Sequence, residues 1–166
     1  ANVVIPPKPK DSNKSTKFEG AFVKEPLIGL HKWVASFDLN SLYPHLIMQY
    51  NISPETLQQE SVEKGVDHYL KNPAEDSEYA IAANGSQYRK DFRGVFPSIM
   101  EDFYNQRKIA KKEMLQAQQL YENENDPRQL KVISSKNNYQ MGMKIALNSA
   151  YGAMDNQYFR YFDLKM

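Results

Sequence analysis

The sequence predicts an α+β fold in which a small sheet carrying one acidic residue is followed by a long antiparallel helical hairpin. Three observations carry this reading. "KWVASFD", residues 32–38, alternates so that Trp33, Ala35 and Phe37 face one way and Val34, Ser36 and Asp38 the other, the pattern of a strand. "EYAIAANGSQYRKD", residues 78–91, reads as a hairpin turning at Asn84-Gly85. From Pro97 to about Asn123, Ile99, Phe103, Ala110, Met114, Ala117 and Tyr121 recur at helical spacing.

The remaining elements follow in order. Residues 1–17 contain "PPKPKDSNKSTK", an extended, solvated linker. "FEGAFVKEP", residues 18–26, predicts a short strand entering a turn. Residues 43–50 predict a short helix, with Pro44 in its first turn and Ser41 as its cap. A further short helix is expected over 61–71. "ENENDP" breaks the first long helix, and a second runs from about Arg128 to Ala150. So short a connection makes the two long helices antiparallel neighbours.

Composition narrows the function classes. The 166 residues are 41% hydrophobic and 25% charged, ordinary for a folded domain. With no cysteine, disulfides and thiolate metal sites are excluded. No apolar run approaches the roughly 20 residues that span a bilayer, so no membrane partner is expected. The net charge is only +1, so any affinity for nucleic acid must come from local clustering. The aromatic-dense end, "YFRYFDLKM", has nothing after it to cover it, and the chain is expected to be a segment of something longer.

Charge is sorted along the hairpin. Glu122, Glu124 and Asp126 lie at its tip, whereas Arg107, Lys108, Lys111 and Lys112 stand on the first helix against Glu113. At about 100° per residue, Arg107 and Lys111 border the apolar stripe and Lys108 and Lys112 point away. On the second helix Lys144, Asn148 and Tyr151 share a face. Arg107 and Lys144 lie at about the same depth from the turn. Two cations facing each other repel unless an anion sits between them, and a polyphosphate would suit.

Two motifs carry a resemblance. "DLNSLYP" (38–44) resembles the first catalytic motif of family B DNA polymerases, and "KIALNSAYG" (144–152) their fingers motif, K-x-x-x-N-S-x-Y-G. The wider text, "GAFVKEP … SFDLNSLYP … NISPET … NQRK … NSAYGAMDNQYFRYFDL", is similar to the T-even phage branch of that family. The resemblance implies a partial palm sheet over 18–96, a fingers hairpin over 97–150 and a return to the palm over 151–166. It implies one metal-bridging aspartate, Asp38, with the Leu39 carbonyl, in a site for two Mg²⁺ ions. It implies Ser41 and Leu42 amides on phosphate oxygens, and Tyr43 beneath the deoxyribose, excluding a 2′-OH. Arg107, Lys111, Lys144 and Asn148 would hold the dNTP triphosphate, Lys144 doubling as the acid for the leaving group. Tyr151 and Gly152 would lie at the nascent base pair, and Gly20 and Ala21 at the DNA.

The implied partners are primer-template DNA, dNTP, the remaining exonuclease, palm and thumb, and a sliding clamp through other regions. The implied place is the cytoplasm, of a bacterial host if the source is a phage. The sequence has two departures: Phe18 where the family has tyrosine, and His45 where it has serine. His45 is read as a packing or capping residue. The chain holds no Y-G-D-T-D-S-like motif to supply the second aspartate, so alone it is expected to be inactive. The alternative is a non-enzymatic nucleotide- or DNA-binding module derived from such a polymerase.

Overall fold

A computed structural model describes residues 4–7, 23–61, 64, 67–68, 71–72 and 77–166. The described elements are helix α1 (Leu42–Tyr50), strands β1 (Leu57–Ser61), β2 (Tyr79–Ile81) and β3 (Ser86–Arg89), and helices α2 (Val95–Glu124) and α3 (Arg128–Met154). The strands form one antiparallel sheet in the order β1-β3-β2.

The hairpin expected at Asn84-Gly85 is β2–β3, with Tyr79 opposite Arg89 and Ile81 opposite Gln87. Gly85 sits at φ 85, a conformation that favours glycine. The strand β1 has no counterpart in the sequence reading, because "LQQES" lacks the alternation that marks a half-buried strand.

The two long helices pack as an antiparallel pair. Ala110 and Ala117, seven residues apart on one face of α2, are buried, and their small side chains let α3 approach. Asn125 ends α2 in the left-handed conformation, its N–H donating to Tyr121 O at 2.8 Å. Asp126 Oδ1 then accepts from the Arg128 amide at 3.0 Å. The neighbouring guanidinium of Arg128, by hydrogen bonding, lowers the Asp126 pKa. Across the pair Lys136 meets Glu113 at 2.6 Å and the Tyr139 hydroxyl donates to Gln106. The second helix extends beyond Ala150 to Met154, and Ile99 of the expected stripe is exposed; neighbouring Met100 is the buried residue.

Several expectations are corrected. Residues 32–38 are not a strand. Trp33 lies at φ 61, incompatible with an extended run, and Trp33 and Phe37 are exposed. A strand exists only by its ladder, and no described strand pairs with this stretch. Ser41 occupies the cap position of α1 but makes no capping bond, because its own left-handed backbone (φ 55) turns the side chain elsewhere. The expected strand at 18–26 is not formed over 23–26, and its first five residues lie outside the described ones, as does most of 61–71.

The core joins α1, α2 and α3 through Ile47, Met100 and Leu147, with Ile52, Phe96, Phe103 and Tyr104 around them. The chain after α3 folds back over the root of α2, where Phe96, Phe159 and Tyr161 pack with ring centroids 5.7–6.1 Å apart. Tyr88 of β3 is fully buried and its hydroxyl donates to Lys165 O at 2.8 Å, while Lys165 Nζ donates to Gln59 O at 2.9 Å.

Burial pushes the Tyr88 phenol up to about 12. A raised folded-state pKa gives stability that is present below the unfolded value, near 10, and lost as pH rises through the folded one. Thermal melts should therefore weaken from about pH 10 to 12, and Tyr88→Phe should flatten that loss. At pH 7 the same variant should cost about 1 kcal/mol, or a few degrees in Tm, through the lost hydrogen bond. An alkaline profile unchanged in Tyr88→Phe would refute the assignment.

Candidate nucleotide site

The two motifs meet where α1 crosses the base of the α2–α3 pair. Tyr43 comes from the first turn of α1, held against the pair by buried Pro44 and Ile47 of the same helix. Tyr151 comes from the last turns of α3, beyond buried Leu147. The two rings stack, with centroids 4.1 Å apart and planes 16° from parallel. Such a pair contributes about 0.5–1.5 kcal/mol beyond its burial. Partial burial raises the Tyr151 pKa, with the neighbouring Tyr43 and Asp155 adding to the shift. Both tyrosines border an open cleft of about 320 Å³ whose far wall is Phe162, Leu164 and Met166.

Arg107 of α2 reaches the same corner. Its Nη1 donates to Ser41 Oγ at 3.4 Å. Its Nε is buried and has no hydrogen-bond partner among the described residues. A guanidinium with a spare, desolvated donor and a forked head is suited to an anion. Lys111, Lys144 and Asn148 are exposed on their helices. The contacts of Tyr139 with Gln106 and of Lys136 with Glu113 put Arg107 and Lys144 within one to two turns of each other in depth.

The other residues singled out are placed less tightly. Asp38 and Leu39 lie in an exposed irregular stretch just before α1, and Leu42 is exposed on the helix. Gly152 is exposed, and an added Cβ there would meet nothing within 4 Å of the chain itself. Gly20 and Ala21 fall outside the described residues. No three acidic or histidine side chains converge on a cation site among the described residues. Asp38 thus offers one hard oxygen ligand group, and a self-standing site for two divalent cations needs more. No described helix is long and apolar enough to cross a membrane.

His45 packs, the first of the two roles expected for it. Its Nδ1 lies 2.9 Å from Ser41 O, and its ring meets Tyr104 edge-on at 4.7 Å. The sequence marks the chain after α3 as a return to the palm but does not show that it walls the cleft. Phe162 and Leu164 line the cleft, and their only signal was the aromatic density of that tail.

The family model for DNA polymerase family B matches residues 1–163. The DNA-directed DNA polymerase of Escherichia phage RB69 is 34% identical over 89% of the chain, and that of Enterobacteria phage T4 is 31% identical over 93%. DNA polymerase 1 of Pyrococcus abyssi is 31% identical over 91%. The chain spans about a fifth of each relative's length, 21%, 22% and 17% respectively. With nearly its whole length matched and its two motifs brought together at one corner, the chain belongs to DNA polymerase family B.

Proposed function

We propose that these residues form the dNTP-binding corner of a DNA-directed DNA polymerase acting in DNA replication, working with palm, thumb and exonuclease parts supplied by the rest of the polymerase. The observation that carries the reading is the stack of Tyr43 on Tyr151, with Arg107 alongside. It joins the sugar-facing residue of one motif, the base-facing residue of the other and a cation with a buried spare donor.

In this reading the incoming dNTP places its sugar over Tyr43, whose ring occupies the volume a 2′-OH would need. Ser41 and Leu42 amides, at the start of α1, face phosphate oxygens. Arg107, Lys111 and Lys144 supply positive charge along the triphosphate, and Asn148 a hydrogen bond. Tyr151 and Gly152 bound the new base pair. Movement of the hairpin toward the palm brings these cations to the phosphates and excludes water, a gating step. The primer 3′-oxygen then forms a bond to the α-phosphorus as the bond to the β-phosphate oxygen breaks. Lys144 can donate its proton to the departing pyrophosphate. Bound Mg²⁺ would supply activation of the 3′-hydroxyl and neutralisation of the triphosphate. Asp38 contributes one carboxylate to holding it, with a second aspartate from elsewhere in the polymerase.

The test is a chimera in which this chain replaces the matching fifth of the phage RB69 polymerase, assayed for primer extension. Extension that disappears with Asp38→Ala is expected. A folded, DNA-binding chimera that incorporates no nucleotide would overturn the reading and leave a binding module. The 166-residue chain by itself should extend no primer. In the active chimera, Arg107→Ala should raise KM for dNTP about 10- to 100-fold, the scale of one charge-assisted hydrogen bond. Tyr43→Ala should reduce discrimination against ribonucleotides on the order of 10²-fold. Steady-state incorporation of dNTP and rNTP measures both.

A further inference from the structure

The first turn of α2 has no cap from its own segment. Gly94 stands at the cap position without a side chain. Its leading amides are satisfied instead by the turn that follows α1, in the sequence "NISPET". The Gly94 N–H donates to Asn51 Oδ1 at 2.9 Å, the Val95 N–H to Glu55 Oε1 at 2.5 Å and the Phe96 N–H to Ser53 Oγ at 3.3 Å. The first amides of a helix are orphaned unless something accepts from them, and a carboxylate there also meets the positive end of the helix dipole. Ser53 is itself oriented by donating to Glu55 Oε2 at 2.8 Å.

Asn51 faces both ways. In the left-handed conformation at φ 57, it ends α1 by donating its backbone N–H to Ile47 O. Its Nδ2 donates to Arg89 O at 2.7 Å and to Phe92 O at 2.8 Å. One buried side chain therefore ties the end of α1, the end of β3 and the start of α2. Arg93 adds a second tie, Nη1 to Met48 O at 2.6 Å. The fit is close: a Cβ on Gly94 would lie 2.6 Å from Ser53 Cβ.

We propose that Asn51, Ser53, Glu55 and Gly94 are positioning residues that set the tilt of the α2–α3 pair on α1, and so the place of Arg107 relative to Tyr43. Only the consequence for nucleotide rests on the function proposed above. From Gly94 to Arg107 is a lever of about 20 Å, so a tilt of roughly 3° at the root moves the guanidinium by about 1 Å. A misplacement of that size can cost on the order of 10²-fold in rate.

The cysteine-free chain allows paired spin labels to be placed at will. Labels at Gln49→Cys and Gln116→Cys report the tilt, and labels at Gln116→Cys and Lys131→Cys report the hairpin itself. Glu55→Ala and Asn51→Asp, which keeps the acceptor for Gly94 but loses both Nδ2 donors, should shift or broaden the first distance by about 2 Å. Neither should change the second distance, and Glu55→Gln should restore the first. Ala117→Gly, a destabilising control remote from the anchor, should leave the first distance unchanged. An unmoved first distance in Glu55→Ala and Asn51→Asp, or an equal change in Ala117→Gly, would overturn the proposal. In the RB69 chimera, Glu55→Ala should raise KM for dNTP and Glu55→Gln restore it. A chimera inactive in every form would refute the proposed function, while the label distances would still decide the anchor.

Discussion

Three side chains hold the chain's chemistry together. Ile47, Met100 and Leu147 come one from each helix and meet in a core where none is more than 4% exposed. The first motif rides on α1 and the second on α3, about a hundred residues apart in sequence, and this core packs the two helices against each other. Burying such side chains contributes about 1.5–3 kcal/mol each. That energy has to outweigh the entropy of closing the long intervening loop, which grows only slowly with loop length. The hairpin helps by being locally closed: α2 and α3 find each other through a three-residue connection. The core then needs to dock only one preformed unit on α1.

The sheet does a different job. It touches the site nowhere, yet it fixes two segments that do. Through Tyr88 and Gln59 it holds Lys165, near the end of the tail whose Phe162 and Leu164 wall the cleft. At its other end the chain leaves β3 at Arg89, which Asn51 grips, and six residues later α2 begins. Its strands are short and only partly buried, so the sheet is small in energy. It acts as a spacer between two hydrogen-bonded ends.

Much of the fold was legible because its signals were local. The 3.6-residue period of Phe103, Ala110 and Ala117, the breaker "ENENDP" and the Asn84-Gly85 turn each depend on neighbours within a few residues. The strand expected at 32–38 failed for the opposite reason. Alternation makes a run competent to pair, but pairing needs a partner strand, and Trp33 and Phe37 remain exposed without one. Within the site, the helix faces of Arg107 and Tyr151 were readable from spacing, whereas Tyr43 was marked only by its motif. The stack between the tyrosines was not readable, because it depends on the angle at which α1 crosses the hairpin. The cap of α2 was hidden as well. A capping search looks at the residue before a helix, finds Gly94, and has no reason to look back to Glu55.

The corner around Tyr43 also departs from what stability alone would choose. Ser41 holds a left-handed backbone, which costs a non-glycine residue about 1–2 kcal/mol. Arg107 keeps a buried Nε with no partner among the described residues, at about 1–3 kcal/mol. These two residues are joined, Nη1 to Oγ, so the two costs fall at one point. Trp33 aside, the other described left-handed residues follow local rules, with Asn at the helix ends and glycine in the hairpin turn. Where local rules are broken together, the compensating gain is expected from function. An anion drawn against Arg107 would satisfy its spare donor. On the function proposed above, the triphosphate would be that anion, and the cost at Arg107 would be recovered when it binds.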